Sequence, residues 1–218
     1  MDKKAILFDL DGTLWDASIP VGEAWQATGR KYIGPSFSFS AEEARSEMGK
    51  TMEDILKEFV AKVGDEALGR KIALEAYEDE NDYLFEHPGK LYPMEEETLA
   101  ALKKMGYSLY VVSNAQTGYI ETYLHALIHP EVYSGHLCYG DTLLPKDRTM
   151  AILLEREGIE KKNACYVGDI QRDEDSTHLA GLSFIHAAYG FGTSAHPEGV
   201  IASFEEILQV APKVLPFD

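Results

Sequence analysis

The stretch "KKAILFDLDGTLWDA", residues 3–17, decides the fold. Its apolar run, residues 4–8, is rich in branched and aromatic side chains and shows no polar alternation. That is the pattern of a strand buried on both faces. Two aspartates, Asp9 and Asp11, stand one residue apart at its end, and Gly12 and Thr13 follow at once. Two carboxylates at the end of a buried strand need a chemical reason.

Working outward, similar runs recur at 107–113 (YSLYVVS), 163–169 (NACYVGD), 182–187 (LSFIHA) and, more weakly, 135–140 (GHLCYG). Helical patterns lie between them. Residues 94–106 carry acids in the first turn, lysines in the last and Gly106 as a stop. Residues 117–130 end at Pro130, residues 147–158 end at Gly158, and a helix from 203 opens with a Ser203…Glu206 capping box. Strand and helix alternate, so the expected fold class is α/β, a doubly wound parallel sheet covered by helices on both faces. Residues 16–88 break the alternation. They show helix patterns at 22–33, 40–49, 51–64 and 66–85 and no convincing strand. The expected division is a core of residues 1–15 and 89–218 and an inserted α-helical cap of residues 16–88. "HPGKLYPM", 87–94, with two prolines and a glycine, is the expected return hinge.

The 218 residues are 45% apolar and 11% aromatic, enough to bury a core. Acids outnumber bases 37 to 20, for a formal charge of −17. Such a surface repels nucleic acid phosphates and anionic lipid headgroups, which leaves a small molecule or a protein as partner. Cys138 and Cys165 sit in strand-like segments without C-x-x-C spacing and are expected as reduced core thiols. The N-terminal apolar run is broken by Asp9 within five residues, so no signal-peptide core is expected, and no apolar stretch has membrane-spanning length. The expected location is cytoplasmic, as a monomer or homodimer.

In a parallel sheet, functional groups collect at the carboxyl ends of the strands. Asp9 ends the first strand, Ser113 and Asn114 the second, and Gly168 and Asp169 the third, with Lys146 before the next helix. Carboxylates so gathered repel one another unless a cation lies among them. All-oxygen ligation suits a hard ion such as Mg²⁺. A metal beside a lysine makes a site for a phosphoryl group on an otherwise acidic protein.

"DLDGT", then "VVSN", a lysine and "VGDIQRD", in that order, resemble the haloacid dehalogenase superfamily from residue 5 to about 192. The helical insertion resembles the cap of its phosphoglycolate phosphatase and β-phosphoglucomutase branch. "RSEMGKTMEDIL" looks like that branch's cap substrate loop, and "AGLSFIHAAYGFG" like the Tyr-Gly-x-Gly ending of the phosphoglycolate-phosphatase-like group. The resemblance implies that Asp9 is the nucleophile and that Asp11 is general acid and then base. It implies that Ser113 and Asn114 bind phosphoryl oxygens, with Lys146 neutralising them and Gly12 opening the turn. Asp9, the Asp11 carbonyl and Asp169 would hold Mg²⁺, with Asp173 in support. Arg45 and Lys50 of the cap would meet the far end of the substrate. Two positions depart from the branch: Asp147 follows the lysine where proline is usual, and Met94 stands where glycine is usual.

The leading expectation is a Mg²⁺-dependent phosphatase of a small phosphorylated metabolite. A sugar phosphomutase uses the same parts. A 2-haloacid dehalogenase needs no metal and typically lacks the second aspartate, so Asp11 argues against it. His125 and His129, four apart on one expected helix, have the spacing of a zinc pair. They lack both the glutamate of a His-Glu-x-x-His motif and a third ligand. Trp15, Trp25 and Phe59 are expected as core or hinge packing.

Overall fold

The computed structural model describes residues 3–217. Residues 1, 2 and 218, the outermost of the expected core, lie outside it. Strand β1 (Ala5–Phe8) leads to a two-residue strand β2 (Trp15–Asp16). Four helices follow: α1 (Ser18–Ile33), α2 (Ala41–Glu47), α3 (Met52–Val63) and α4 (Glu66–Glu86). The chain returns through β3 (Lys90–Leu91), which pairs antiparallel with β2 as a short ribbon. It continues as α5 (Glu95–Lys104), β4 (Ser108–Ser113), α6 (Tyr119–Ala126), β5 (Gly135–Cys138), the single turn α7 (Tyr139–Thr142) and α8 (Lys146–Glu157). β6 (Ala164–Gly168), α9 (Gln171–Ala180), β7 (Ser183–Ala187), β8 (Gly199–Ile201) and α10 (Ile207–Val214) complete it.

Six strands form one sheet in the order β5-β4-β1-β6-β7-β8, with every neighbouring pair parallel. β1 lies at the centre, and its four residues are fully buried. Its alternate side chains face two cores: Ile6 and Phe8 join Val111 and Val167, while Ala5 and Leu7 join Tyr110, Val112 and Leu153. This two-sided burial is why the segment has no polar alternation. Fully burying such a side chain is worth about 1.5–3 kcal/mol. Trp25 of α1 anchors the helical insertion. Phe39 stacks on its ring at 5.4 Å, and Phe59 and Tyr77 meet it edge-on at 5.0 and 5.2 Å.

Three local expectations differ from the structure. α6 ends at Ala126, because the Glu96 carboxylate takes the Ile128 and His129 N–H groups at 3.0 and 3.1 Å. His125 and His129 therefore do not share a helix; His125 meets Phe85 edge-on, and His129 pairs with Glu131 at 3.1 Å. The Ser203…Glu206 box does not form. Residues 204–206 make a 3-10 turn, Ser203 gives no side-chain cap, and Glu206 accepts from the Ala202 N–H at 2.8 Å. The short strands β2, β3 and β8 carry too few residues to show a period in the sequence. Among the described residues no helix is long and apolar enough to cross a membrane.

Met94, the departure noted in the sequence, takes φ 60° and ψ 19° at the start of α5 and is 51% exposed. This left-handed conformation costs an L-residue about 1–2 kcal/mol. Met94→Gly is expected to raise the unfolding free energy by about 0.5–1 kcal/mol in urea titration, after allowing for glycine's looser unfolded chain. A loss of stability would show that the position is unstrained.

The neighbouring Glu95 is 2% exposed and accepts from the Tyr123 hydroxyl at 2.6 Å and the Tyr92 N–H at 3.3 Å. Burial pushes its carboxyl up to about 8 from an ordinary 4.5, against those two bonds. Between these values the unfolded chain has lost a proton that the fold retains, so stability falls as pH rises from about 5 to 8. Glu95→Gln should flatten that fall when melts are followed across the range; an unchanged slope would assign it to other groups.

Candidate active site

β4, β1 and β6 are adjacent and parallel, so their carboxyl ends share one rim. The chain runs outward from β1 through β4 and β5, then returns to β1's other side with β6, which makes this rim the switch point of the sheet. Asp9 follows β1, Ser113 ends β4 with Asn114 next, and Asp169 follows β6. Lys146 opens α8 behind Pro145, and Asp147 beside it complements the helix dipole. Asp173 lies in the first turn of α9, where its carboxylate accepts from the N–H groups of Asp169 and Ile170 at 3.2 and 3.4 Å.

Asp9, Asp169 and Asp173, all buried, offer oxygens within 4.8 Å of one another. The Lys146 ammonium lies between two of them, 2.8 Å from Asp9 Oδ1 and 2.6 Å from Asp173 Oδ1. Burial alone would lower this lysine's pKa, but the charges of Asp173 and Asp9 outweigh it and hold the group protonated. Burial and then the Asp173 charge raise Asp9 to about 6, with Lys146 opposing. Burial, Asp173 and Asp9 raise Asp169 to about 8. Three carboxylates against one ammonium leave a formal charge of −2. The donor set is all oxygen and short by two positive charges, which fits a hard divalent cation held by Asp9, Asp169 and Asp173.

Asp11 stands apart from this cluster. Its Oδ1 accepts from the Trp15 indole N–H at 3.0 Å and the Tyr119 hydroxyl at 2.9 Å. Burial, then the Asp9 charge, push its carboxyl well above the ordinary range. A carboxyl whose pKa is raised holds its proton more firmly and is suited to donating it. Ser113 and Asn114 are each 6% exposed. The Asn114 amide nitrogen is taken by the Gly49 carbonyl at 2.9 Å, so its side chain ties the α2–α3 loop to the rim. The Gly12 N–H is likewise taken, by the Trp15 carbonyl at 2.9 Å.

Several contacts were not legible in the sequence. Tyr166 of β6 donates to the Val112 carbonyl at 2.7 Å, and its hydroxyl lies 3.2 Å from Asp9 Oδ1. The Phe191 N–H donates to Asp169 Oδ2 at 2.6 Å. Trp15 and Tyr119 gave no signal beyond apolar packing. The Tyr-Gly-x-Gly pattern was a signal for the last loop. A Cβ on Gly190 would stand 2.6 Å from Asp169 Oδ2, so only glycine lets this loop close on the carboxylate.

The two cations Arg45 and Lys50 are placed differently from one another. Arg45 is held by Asp16 Oδ2 at 2.9 Å and Ser18 Oγ at 3.1 Å, its guanidinium 5.0 Å above the Phe191 ring. Lys50 lines the cleft between helices α1–α4 and the rim, bound to Glu47 at 3.1 Å and Glu58 at 2.7 Å. Glu80 of α4 also lines it, 5% exposed, accepting from the indole of Trp25 and from Gln116 at 3.3 Å. Burial raises the Glu80 carboxyl to about 7, against the bonds from Trp25 and Gln116.

Gly12 adopts φ +79°, and a Cβ there would lie 2.6 Å from Asp169 Cγ and 2.9 Å from the Phe191 ring. Gly12→Ala is therefore expected to displace Asp169. It should lower the unfolding free energy by about 2 kcal/mol or more and weaken metal binding in calorimetry. A variant with unchanged stability and metal affinity would show that the turn has room to spare.

A family model described as haloacid dehalogenase-like hydrolase matches residues 6–187. The chain is 30% identical over 129 residues to the phosphoglycolate phosphatase of Haemophilus influenzae (strain 86-028NP), across 56% of this chain and 57% of that one. It thus spans a little over half the length of the first curated relatives it matches. With the phosphoglycolate phosphatase of Vibrio parahaemolyticus it shares 25% identity over 232 positions, covering 96% of each chain. Among solved structures, a predicted phosphoglycolate phosphatase from Haemophilus somnus 129pt has the same fold. Its TM-score is 0.78 at 24% identity, covering 96% of this chain and 98% of that one. With its strand-end aspartates, buried lysine and matched span of 6–187, this chain belongs to the haloacid dehalogenase-like hydrolase family.

Proposed function

We propose that this protein is a Mg²⁺-dependent phosphatase that cleaves a small phosphorylated metabolite through an aspartyl-phosphate on Asp9. The observation that carries the reading is the buried Asp9 carboxylate, bound to Lys146 and set against Asp169 and Asp173. Bound Mg²⁺ supplies charge neutralisation for the phosphoryl group.

The protein's own groups do the rest. With a pKa of about 6, Asp9 is largely ionised at neutral pH and is available as a nucleophile. Its oxygen bonds to phosphorus as the bond to the leaving alcohol breaks. Lys146 offsets charge on the phosphoryl oxygens, and the Ser113 hydroxyl stands at the same rim. Protonated Asp11 gives its proton to the leaving oxygen, and the bonds from Trp15 and Tyr119 to Oδ1 leave Oδ2 for that transfer. Water then attacks phosphorus, its proton passes to Asp11, and Asp9 is released with inorganic phosphate. Acid–base help of this kind is worth about 10² to 10⁴ in rate.

Assay of a panel of phosphomonoesters with Mg²⁺ and with excess EDTA tests the reading. Phosphate release should require the metal. Asp9→Asn should abolish it while the circular dichroism stays that of the folded protein, and Asp11→Asn should slow it by about 10² or more. Undiminished turnover in EDTA, or an active Asp9→Asn variant, would refute it.

A further inference from the structure

The cleft between helices α1–α4 and the rim joins an apolar wall to a set of hydrogen-bond acceptors. Trp25, Phe39, Met52 and Tyr77 form the wall. Lys50 is the one cation lining the cleft among the described residues, and Glu47 and Glu58 already bind it. Arg45, held by Asp16, is not among the lining residues. Glu47 adds negative charge to the lining, and Glu80, raised to about 7, adds part of a charge at neutral pH. Asn114 lines the cleft at 6% exposure, and its Oδ1 has no hydrogen-bond partner. Because the Asn114 amide nitrogen is anchored on the Gly49 carbonyl, the oxygen is the end left to meet a ligand.

The cation lining this cleft is thus committed, and what remains unsatisfied is an acceptor. A second anionic group would meet net negative charge and no free donor of positive charge. An apolar body would cover the apolar wall, and a donor hydrogen would satisfy Asn114 Oδ1.

We propose that the leaving alcohol of the substrate is uncharged, with an apolar body and a hydroxyl or N–H donor, and that the cleft selects against a second anionic group. The proposal rests on the phosphatase reading for the position of the phosphoryl group and specifies the other end of the same substrate.

The test compares 2-hydroxyethyl phosphate with 2-phosphoglycolate, which differ only in a hydroxymethyl group for a carboxylate. Calorimetry with the Asp9→Asn protein and Mg²⁺ measures binding without turnover. 2-Hydroxyethyl phosphate should bind at least 10-fold more tightly. Glu80→Gln, with Glu47→Gln as an independent second variant, should narrow that ratio at least threefold. Equal or tighter binding of 2-phosphoglycolate, binding of neither compound, or a ratio unmoved by both variants would overturn the proposal. Turnover of p-nitrophenyl phosphate by the wild-type protein reports separately on the phosphatase reading, so the two fail independently.

Discussion

Lys146 lies between Asp9 and Asp173, and none of the three side chains is more than 3% exposed. A buried charge that loses its partner costs about 3–5 kcal/mol, so these groups must arrive together. That requirement reaches far along the chain. β1 must end at Phe8, α8 must begin directly behind Pro145, and α9 must present Asp173 in its first turn. The parallel order β4-β1-β6 is what brings elements more than 100 residues apart to one rim.

The cluster is not self-sufficient. Asp169 receives the Phe191 N–H and a close approach of Gly190, yet burial beside Asp173 and Asp9 still holds its carboxyl near 8. Stability and chemistry therefore pull in opposite directions at one place. The carboxylate crowding that opposes burial is the same feature that fits the cluster to a metal ion.

Asp11 links this centre to the helical insertion. Its oxygen is gripped by Trp15, which belongs to the β2–β3 ribbon, and by Tyr119 at the start of α6. Trp15 meets Tyr119 and Tyr123 edge-on at 5.9 and 5.5 Å. Asp11 is thus seated on the joint between helices α1–α4 and the sheet. A second link runs from Asn114 to the Gly49 carbonyl, so the α2–α3 loop is tied to the rim.

By itself the sequence determined the parts whose cause is local or periodic. The unbroken apolar run of β1 announces burial on both faces, and the motif order announces which strand ends carry Asp9, Ser113 and Asp169. The helices of the insertion were legible because Ser40, Thr51 and Asp65 cap three of them and their apolar positions repeat. Tertiary structure alone decided the rest. Tyr166, Tyr119 and Trp15 read as ordinary core residues, and only packing turns their polar ends on Asp9 and Asp11. α6 stops where it does because a carboxylate from α5 captures its next N–H groups. Arg45 and Lys50 are equal as cations in a sequence, but Asp16 takes one away and Glu47 and Glu58 occupy the other. Charge and residue type are written along the chain; the partner that gives each charge its role comes from a distant segment, and only the fold brings the two together.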